Sequence, residues 1–345
     1  MNDHPAGLTR PTLEYHTPLS RCVAMLVALA LLTMLSLPWW ADAGTIRSVI
    51  ELSCYLVLAQ MWNLMAGYAG LVSIGQQAFI GLAGYALFVL SNHLGIHPFL
   101  ASALCLVVPA LVALPCYLLL RRLEGPYFAI GTWVVAEVCR LLASGTAGLG
   151  SSSGMTLRAM QQVPPALREL GVLWLAAAML VLALGGSYAL LRSRHGLALM
   201  AMRDNPVSAA SQGVNVGRLR FLVFLLTSVG CGMVGAVYYL NALRLSPNAG
   251  FDPGWTSIAI FMVMVGGIGS LEGPLLGALI YFLADRWFSA HGATYMIVLG
   301  LLTLLVAVFA RHGLWGAISA RADWRLFPVQ RRVRFERGSP AVPEK

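Results

Sequence analysis

Lysine is almost missing from this chain of 345 residues, where Lys345 is the single example. A glycine-rich phosphate loop closes on Lys-Ser or Lys-Thr, so the chain carries no such loop and any ATP chemistry belongs to another chain. Charge of both signs is scarce: Asp, Glu, Lys and Arg make up 11% of the residues, against about 25% in soluble domains. Cysteine pairs at C-x-x-C spacing are absent. Cys22, Cys54, Cys105, Cys116, Cys139 and Cys231 all fall in apolar runs with no histidine at metal-ligand distance, which reads as reduced packing residues and no metal site. No metal-spaced His/Cys/carboxylate cluster and no G-x-S-x-G turn occurs, which argues against a membrane-embedded enzyme.

What is present is apolar. Hydrophobic residues make up 58% of the chain and the mean hydropathy is +0.75, the profile of an all-α polytopic integral membrane protein. Candidate spans are Cys22–Leu37, Val49–Leu64, Leu71–Leu90, Pro98–Leu120, Tyr127–Leu142, Val172–Leu191, Phe221–Leu243, Trp255–Gly269, Pro274–Phe288 and Tyr295–Ala310. Several fall short of the roughly 20 residues that cross a bilayer upright, so the expectation is ten transmembrane helices, or eight if short segments re-enter. Ala41-Asp42-Ala43 resembles a cleavage site, but the long polar leader favours an uncleaved first span.

The formal net charge of +9 does not point to nucleic acid, because the arginines sit between apolar runs and in the tail. With ten spans, segments 1–21, 121–126, 192–220 and 311–345 share one side and hold 17 Lys/Arg, against four in segments 38–47, 144–170 and 244–255. That asymmetry puts both termini and the 192–220 loop in the cytoplasm. The expected organisation is a cytoplasmic segment 1–21, a membrane domain 22–310 and a basic cytoplasmic tail 311–345. The leader and the final dozen residues read as disordered, and Trp315, Trp324 and Phe327 suit the membrane interface.

The loop Arg192 to Arg220, RSRHGLALMAMRDNPVSAASQGVNVGRLR, is the one long polar interruption. Asp204 and Asn205 are good N-caps, Pro206 suits a first helical position and Gly213 a left-handed close. The pattern predicts a two-turn helix over Pro206 to Gln212, whose small side chains Val207, Ser208, Ala209, Ala210 and Ser211 allow a soluble partner to approach closely.

Two regions are too glycine-rich for plain lipid-facing helices. Ala66 to Gly84 carries Gly67, Gly70, Gly75, Gly81 and Gly84 beside Ser73, Gln76 and Gln77. It is either a close-packed helix with amides bonded between helices, or a broken helix whose amides line a solute path. Val265 to Gly277 repeats Gly269, Gly273 and Gly277 at four-residue spacing, which reads as tight helix packing. Glu272 marks a wetted cytoplasmic turn. The polar stretch Ser144 to Gly171 includes the Gly148 to Gly154 tract, a flexible linker or a set of N–H groups for a carboxylate. Glu137 and Arg140 share one helical face and pair, and Arg286 lies beside Asp285.

Four segments together resemble the permease subunits of branched-chain amino acid ABC importers of the LivM branch: NLMAGYAGLVSIGQQAF from Asn63, GPYFAIGTWVVAEVCRLL from Gly125, MRDNPVSAASQGVNV from Met202 and FMVMVGGIGSLEGPLLGALI from Phe261. The resemblance covers residues 46 to 315. It implies a bacterial inner-membrane, non-catalytic subunit paired with a second, related permease. Two cytoplasmic ATPases would bind the ATP and Mg, and a periplasmic binding protein would deliver the solute. By this resemblance the loop around Ala209 to Gly213 corresponds to the ATPase-coupling segment, which we take to include Arg203, Asp204, Asn205, Pro206, Ala209, Ala210 and Gly213, while the polar stretches themselves give Ser73, Gln76, Gln77, Ser151, Ser152 and Ser153 as candidate substrate-path residues. The chain departs from the family pattern at Gln77, where a small residue is usual, and at GSSSG, Gly150 to Gly154. Urea and short-chain amide importers use related permeases. A stand-alone secondary transporter is the other alternative, disfavoured because Glu51, Glu137 and Asp285 sit singly near span ends.

Overall fold

The computed structural model describes residues 12–14, 18–288, 292–309, 313–322 and 332–334. Expectations for residues 1–11, for Trp324 and Phe327 and for the final dozen residues of the tail lie outside or mostly outside these. The helices are α1 (Pro18–Ser36), α2 (Ala43–Asn63), α3 (Gln77–Asn92), α4 (Pro98–Leu104), α5 (Val107–Leu120), α6 (Pro126–Gly145), α7 (Pro165–Arg192), α8 (Arg194–Asp204), α9 (Pro206–Ser211), α10 (Val216–Ala242), α11 (Pro247–Gly250), α12 (Gly254–Gly266), α13 (Glu272–Phe288), α14 (Ala293–Phe309) and α15 (Gly313–Ala322). Two short antiparallel ladders join β1 (Thr12–Glu14) to β4 (Arg332–Arg334) and β2 (Met155–Thr156) to β3 (Arg244–Leu245). The first ladder brings residues near the two ends of the chain together, and its first strand falls in the leader expected to be without regular structure.

Local signals set the helix starts. Pro98, Pro126, Pro165, Pro206 and Pro247 stand in first turns, where a missing N–H costs nothing. Asp42 caps α2, accepting from the Thr45 N–H at 3.1 Å and its hydroxyl at 2.6 Å. These bonds hold the Asp42 carboxyl below its ordinary range.

Every apolar run expected to span contains a helix, but among the described residues not every such helix is long and apolar enough to cross a bilayer by itself. Six helical segments are long and apolar enough, and a seventh requires joining Ile297–Phe309 to Gly313–Ala320 across a 41° bend. The shortfall at α3 has a physical cause. Residues 69–76 leave the helix, and the remaining 16 residues of α3 cover about 24 Å, less than the roughly 30 Å hydrocarbon core.

The core is built around α2. It is walled by α7, α10, α12 and α13, and 78% of its span is buried. Close approach depends on glycine at particular contacts: a Cβ at Gly235 would strike the Ile80 carbonyl, and one at Gly277 the Met262 carbonyl. Two ends of the bundle are fixed by polar ties. At one end Arg47 meets Glu169 at 3.8 Å and Arg286 donates to the Ser48 hydroxyl at 2.6 Å. At the other, the 193–215 segment meets the end of α2, and Gly313 packs on Gly266 and Gly267.

The Gly148 to Gly154 tract expected as a flexible linker is instead folded into short turns, within a 144–171 segment that packs on the bundle. The segment is folded onto the end of α3, where Asn92 donates to the Thr156 carbonyl at 2.9 Å and accepts from the Ala159 N–H at 3.4 Å. Gly150 and Gly154 have φ of +77° and +80°, and a Cβ at Gly154 would strike the Leu245 carbonyl. Turn conformation and strand contact therefore account for these glycines. Among the described residues all six cysteines are free thiols, and only Cys22 is exposed.

Candidate functional site

The polar loop folds as two helices. α9 ends at Ser211 with Gln212 as its cap, and the Asn205 side chain accepts from the N–H groups of Val207 and Ser208 at 3.1 and 3.0 Å. Gly213 closes it at φ +87°, and the Val214 N–H returns to the Ala209 carbonyl at 3.1 Å. α8 was not expected; its signals are Ser193, which caps it through the His195 N–H, and a run of good helix formers from Leu197 to Met202.

The two faces of α9 differ. Val207 is 80% exposed, and Pro206, Ser208, Ala210 and Ser211 also face outward, whereas Ala209 is 2% exposed and turned into its own chain. The small residues thus divide into an outer set available to another protein and an inner one that seats the helix.

Just before α9 in the chain, Arg203 at the end of α8 reaches the end of α2. Its Nη1 donates to the Gly67 carbonyl at 2.8 Å, while its Nε contacts Asp204 at 3.3 Å. Gly67 lies in a π-helical turn, Leu64–Tyr68, that ends α2, so a cation meets carbonyls at a helix C-terminus. The same turn touches the α12–α13 connection through Asn63. That buried side chain accepts from the Gly269 N–H and donates to the Ser270 carbonyl, both at 2.8 Å. A Cβ at Gly67 would collide with Asn63 and Gly269, and one at Gly269 would touch Arg203. Loop, broken helix and α12–α13 turn therefore meet at one point.

This changes the reading of two positions. Gly269 belongs to the turn, at φ +79°, rather than to a helix face; Gly273 and Gly277 do lie at the α12–α13 contact. Glu272 is not wetted. It is 8% exposed in the first turn of α13, because that end is tucked against the α2 turn, where Glu272 and Arg203 both lie within electrostatic reach of Tyr68.

Residues 69–76 form the irregular stretch between α2 and α3. Trp62 donates to the Ser73 carbonyl at 2.9 Å, the Ile74 N–H donates to Thr132 at 3.1 Å, and Gly75 lies so close to Thr132 that a Cβ would strike its carbonyl. Gln77 accepts from the Thr256 hydroxyl, and Gln76 from the Cys231 thiol at 3.5 Å. Both glutamines are buried, and neither Nε2 has a protein partner. Unmet buried donors favour a water or a passing polar solute. Ser151, Ser152 and Ser153 form a separate turn beside α6 and α11; among the described residues no hydrogen bond joins them to the glutamines. A cavity of about 940 Å³ opens near them, lined by Asn92, His93, His97, Gly150, Gly154 and Arg158 among others.

The sequence reading missed Asn63, Thr132 and Thr256 as site members. Asn63 heads a recognised motif, but nothing local says that its amide will reach a turn some 206 residues away. No group of three or more His, Cys, Asp or Glu able to hold a metal occurs among the described residues.

Comparison with known proteins gives one family. The family described as "Branched-chain amino acid transport system / permease component" matches residues 44–307. The LivM high-affinity branched-chain amino acid permease protein of Escherichia coli is 24% identical, over 84% of this chain and 74% of its own. A probable LivH permease protein of Methanocaldococcus jannaschii is 26% identical over 73% and 82%. The fructose import permease protein FrcC of Rhizobium meliloti is 30% identical, but over only 35% and 36%.

Proposed function

The chain belongs to the family of branched-chain amino acid transport permeases and is the permease subunit of an ABC importer, and from this we propose how it is coupled, partnered and oriented. It pairs with a second, related permease, is driven by two cytoplasmic ATPases that bind ATP and Mg, and receives solute from an extracytoplasmic binding protein. The solute we assign is an amino acid with a branched aliphatic side chain, which the named likenesses to LivM and LivH support. The chain itself catalyses no reaction.

The observation that carries the coupling proposal is the position of α9. A capped helix with an exposed outer face begins three residues after Arg203, whose guanidinium holds the α2 turn. ATP binding closes the ATPases on each other; α9 follows, and Arg203 and Asn63 pass the displacement to the α2 turn and to the α12–α13 connection. Rigid-body motion of packed helices then opens the path alternately to each side. The 193–215 end of the bundle is cytoplasmic in this reading, with both termini there and ten crossings in all. The arginine bias supports it, as do the ties of Arg47 to Glu169 and of Arg286 to Ser48, which join residues that this reading puts on the opposite side.

The test is co-purification from detergent-solubilised membranes of wild type and Val207→Glu. The outer-face charge must be desolvated without a partner in a close contact. Two ATPases and a second permease should accompany the wild type, and the ATPases should be lost from the variant while the permease pair persists. A wild-type chain that purified alone and moved solute without ATP would refute the assignment.

A further inference from the structure

The outer face of α6 carries a stripe of exposed apolar residues, Tyr127, Ile130, Val134, Val138 and Leu141. A charged pair interrupts it. Arg140 forms a two-point contact with Glu137, its Nε donating to Oε2 at 2.9 Å, and its Nη1 donates to Asn248 of α11 at 3.0 Å. The pair is far from sealed: the side chains remain 44% (Glu137) and 28% (Arg140) exposed. Glu137 stands about 12 Å short of the end of α6, counting 1.5 Å per residue to Gly145.

The segment that meets this pair is a single helical turn, separated from α12 by the irregular residues 251–253. Between β3 and α12 the chain turns back into the bundle as α11 and a short coil. A Cβ at Gly250 would come within 3.5 Å of the Gly81 Cα, and Gly81 itself faces the Phe251 ring. Gly81 lies about 16 Å down α3 from Asn92, the residue that ties α3 to β2. Asn248, Ala249, Asp252 and Pro253 are exposed at this depth. Irregular backbone at membrane depth is tolerated only inside protein or against water, and exposed ionised side chains there do not face lipid tails. The Ser151–Ser153 turn packs on the same two elements, α6 and α11.

We propose that the α6–α11 face is the wall that this chain contributes to the aqueous solute path, running from the Ser151–Ser153 turn past Asn248 to Glu137 and Arg140. The inference rests on the importer reading, in which the second permease closes the seam against lipid. Glu137 and Arg140 offer a passing solute a carboxylate and a guanidinium side by side, which suits a small zwitterion. Behind the wall Thr132, on the inner side of α6, holds the Ile74 N–H of the irregular stretch that leads into α3.

The experiment uses the assembled complex in membrane vesicles, in a background with the six native cysteines replaced. Single cysteines are placed at Val134, Val138 and Asn248, and for comparison at Leu118 of α5 and Leu304 of α14, which are exposed apolar positions. A membrane-impermeant maleimide should modify the first three at least ten-fold faster than the last two. In parallel, Glu137→Gln and Arg140→Gln should reduce ATP-dependent uptake of leucine at least ten-fold while the complex still co-purifies. Equal labelling of all five positions, or normal leucine uptake by both Gln variants, would overturn the proposal. Failure of the wild-type chain to bring down ATPases would count against the importer reading instead, since the labelling pattern does not depend on that result.

Discussion

The guanidinium of Arg203 and the main-chain oxygen of Gly67 are 2.8 Å apart, although 136 positions separate them in the chain. One belongs to the segment that faces the cytoplasm in our reading, the other to the π-turn where the most buried helix ends. A charge-assisted hydrogen bond of this kind contributes about 1.5–3 kcal/mol, enough to make the two segments move together. The first prediction concerns this bond.

Arg203→Met keeps much of the stem packing and removes the donor. Transport should fall about ten-fold or more while the ATPases still co-purify, and ATP hydrolysis should persist without matching solute uptake. Arg203→Lys should not restore full coupling, because a point ammonium does not reproduce the planar fork. Uptake and hydrolysis measured on the same vesicles give the ratio that decides it; an unchanged ratio in Arg203→Met would remove Arg203 from the coupling route.

Asn63 satisfies a donor and an acceptor of the α12–α13 turn with one amide. Asn63→Leu leaves both part-buried backbone groups without their side-chain partner, at up to about 1–3 kcal/mol each. The expected result is a lower midpoint of thermal unfolding in detergent. Asn63→Asp can still accept from Gly269 but, when ionised, cannot donate to Ser270, so its midpoint should also drop.

Gly277 and Gly186 are both helical glycines with opposite surroundings. A Cβ at Gly277 would enter the space of the Met262 carbonyl, whereas at Gly186 nothing lies within 4 Å. Gly277→Ala should force α12 from α13 and cost roughly 1–3 kcal/mol. Gly186→Ala should be neutral or slightly stabilising. Yield and thermal midpoint of the two variants, measured side by side, check the claim.

Ala209→Glu and Val207→Glu place the same charge on the two faces of α9. The inward Ala209 position should lose the helix itself, visible as faster amide exchange from Val207 to Val214, as well as partner binding. At Val207, exchange should stay at the wild-type rate and only partner binding should fail. Equal exchange in both variants would mean that Ala209 does not seat α9.

Much of the local structure around these positions was legible beforehand. Asn205, Pro206 and Gly213 mark α9 to within a residue of its ends, because capping and left-handed closure depend only on neighbours in sequence. The Glu137–Arg140 pair followed from helical spacing. The inward turn of Ala209 was not legible, since five small residues in a row carry no amphipathic signal. The burial of Glu272 was also hidden: an acidic residue beside glycine reads as a wet turn unless the helix packed over it is known.

Composition and the positions of its few charges were enough to make this a helical membrane protein without a glycine-rich phosphate loop closing on lysine, because lipid solubility and phosphate-loop chemistry are decided residue by residue. The tertiary structure alone decided that an arginine of the 193–215 segment would hold the end of α2, that one asparagine would tie that end to the α12–α13 turn, and that α3 would begin inside the bundle. Those outcomes depend on which backbone groups are left without partners when helices break, and only the packed arrangement fixes which side chains can reach them.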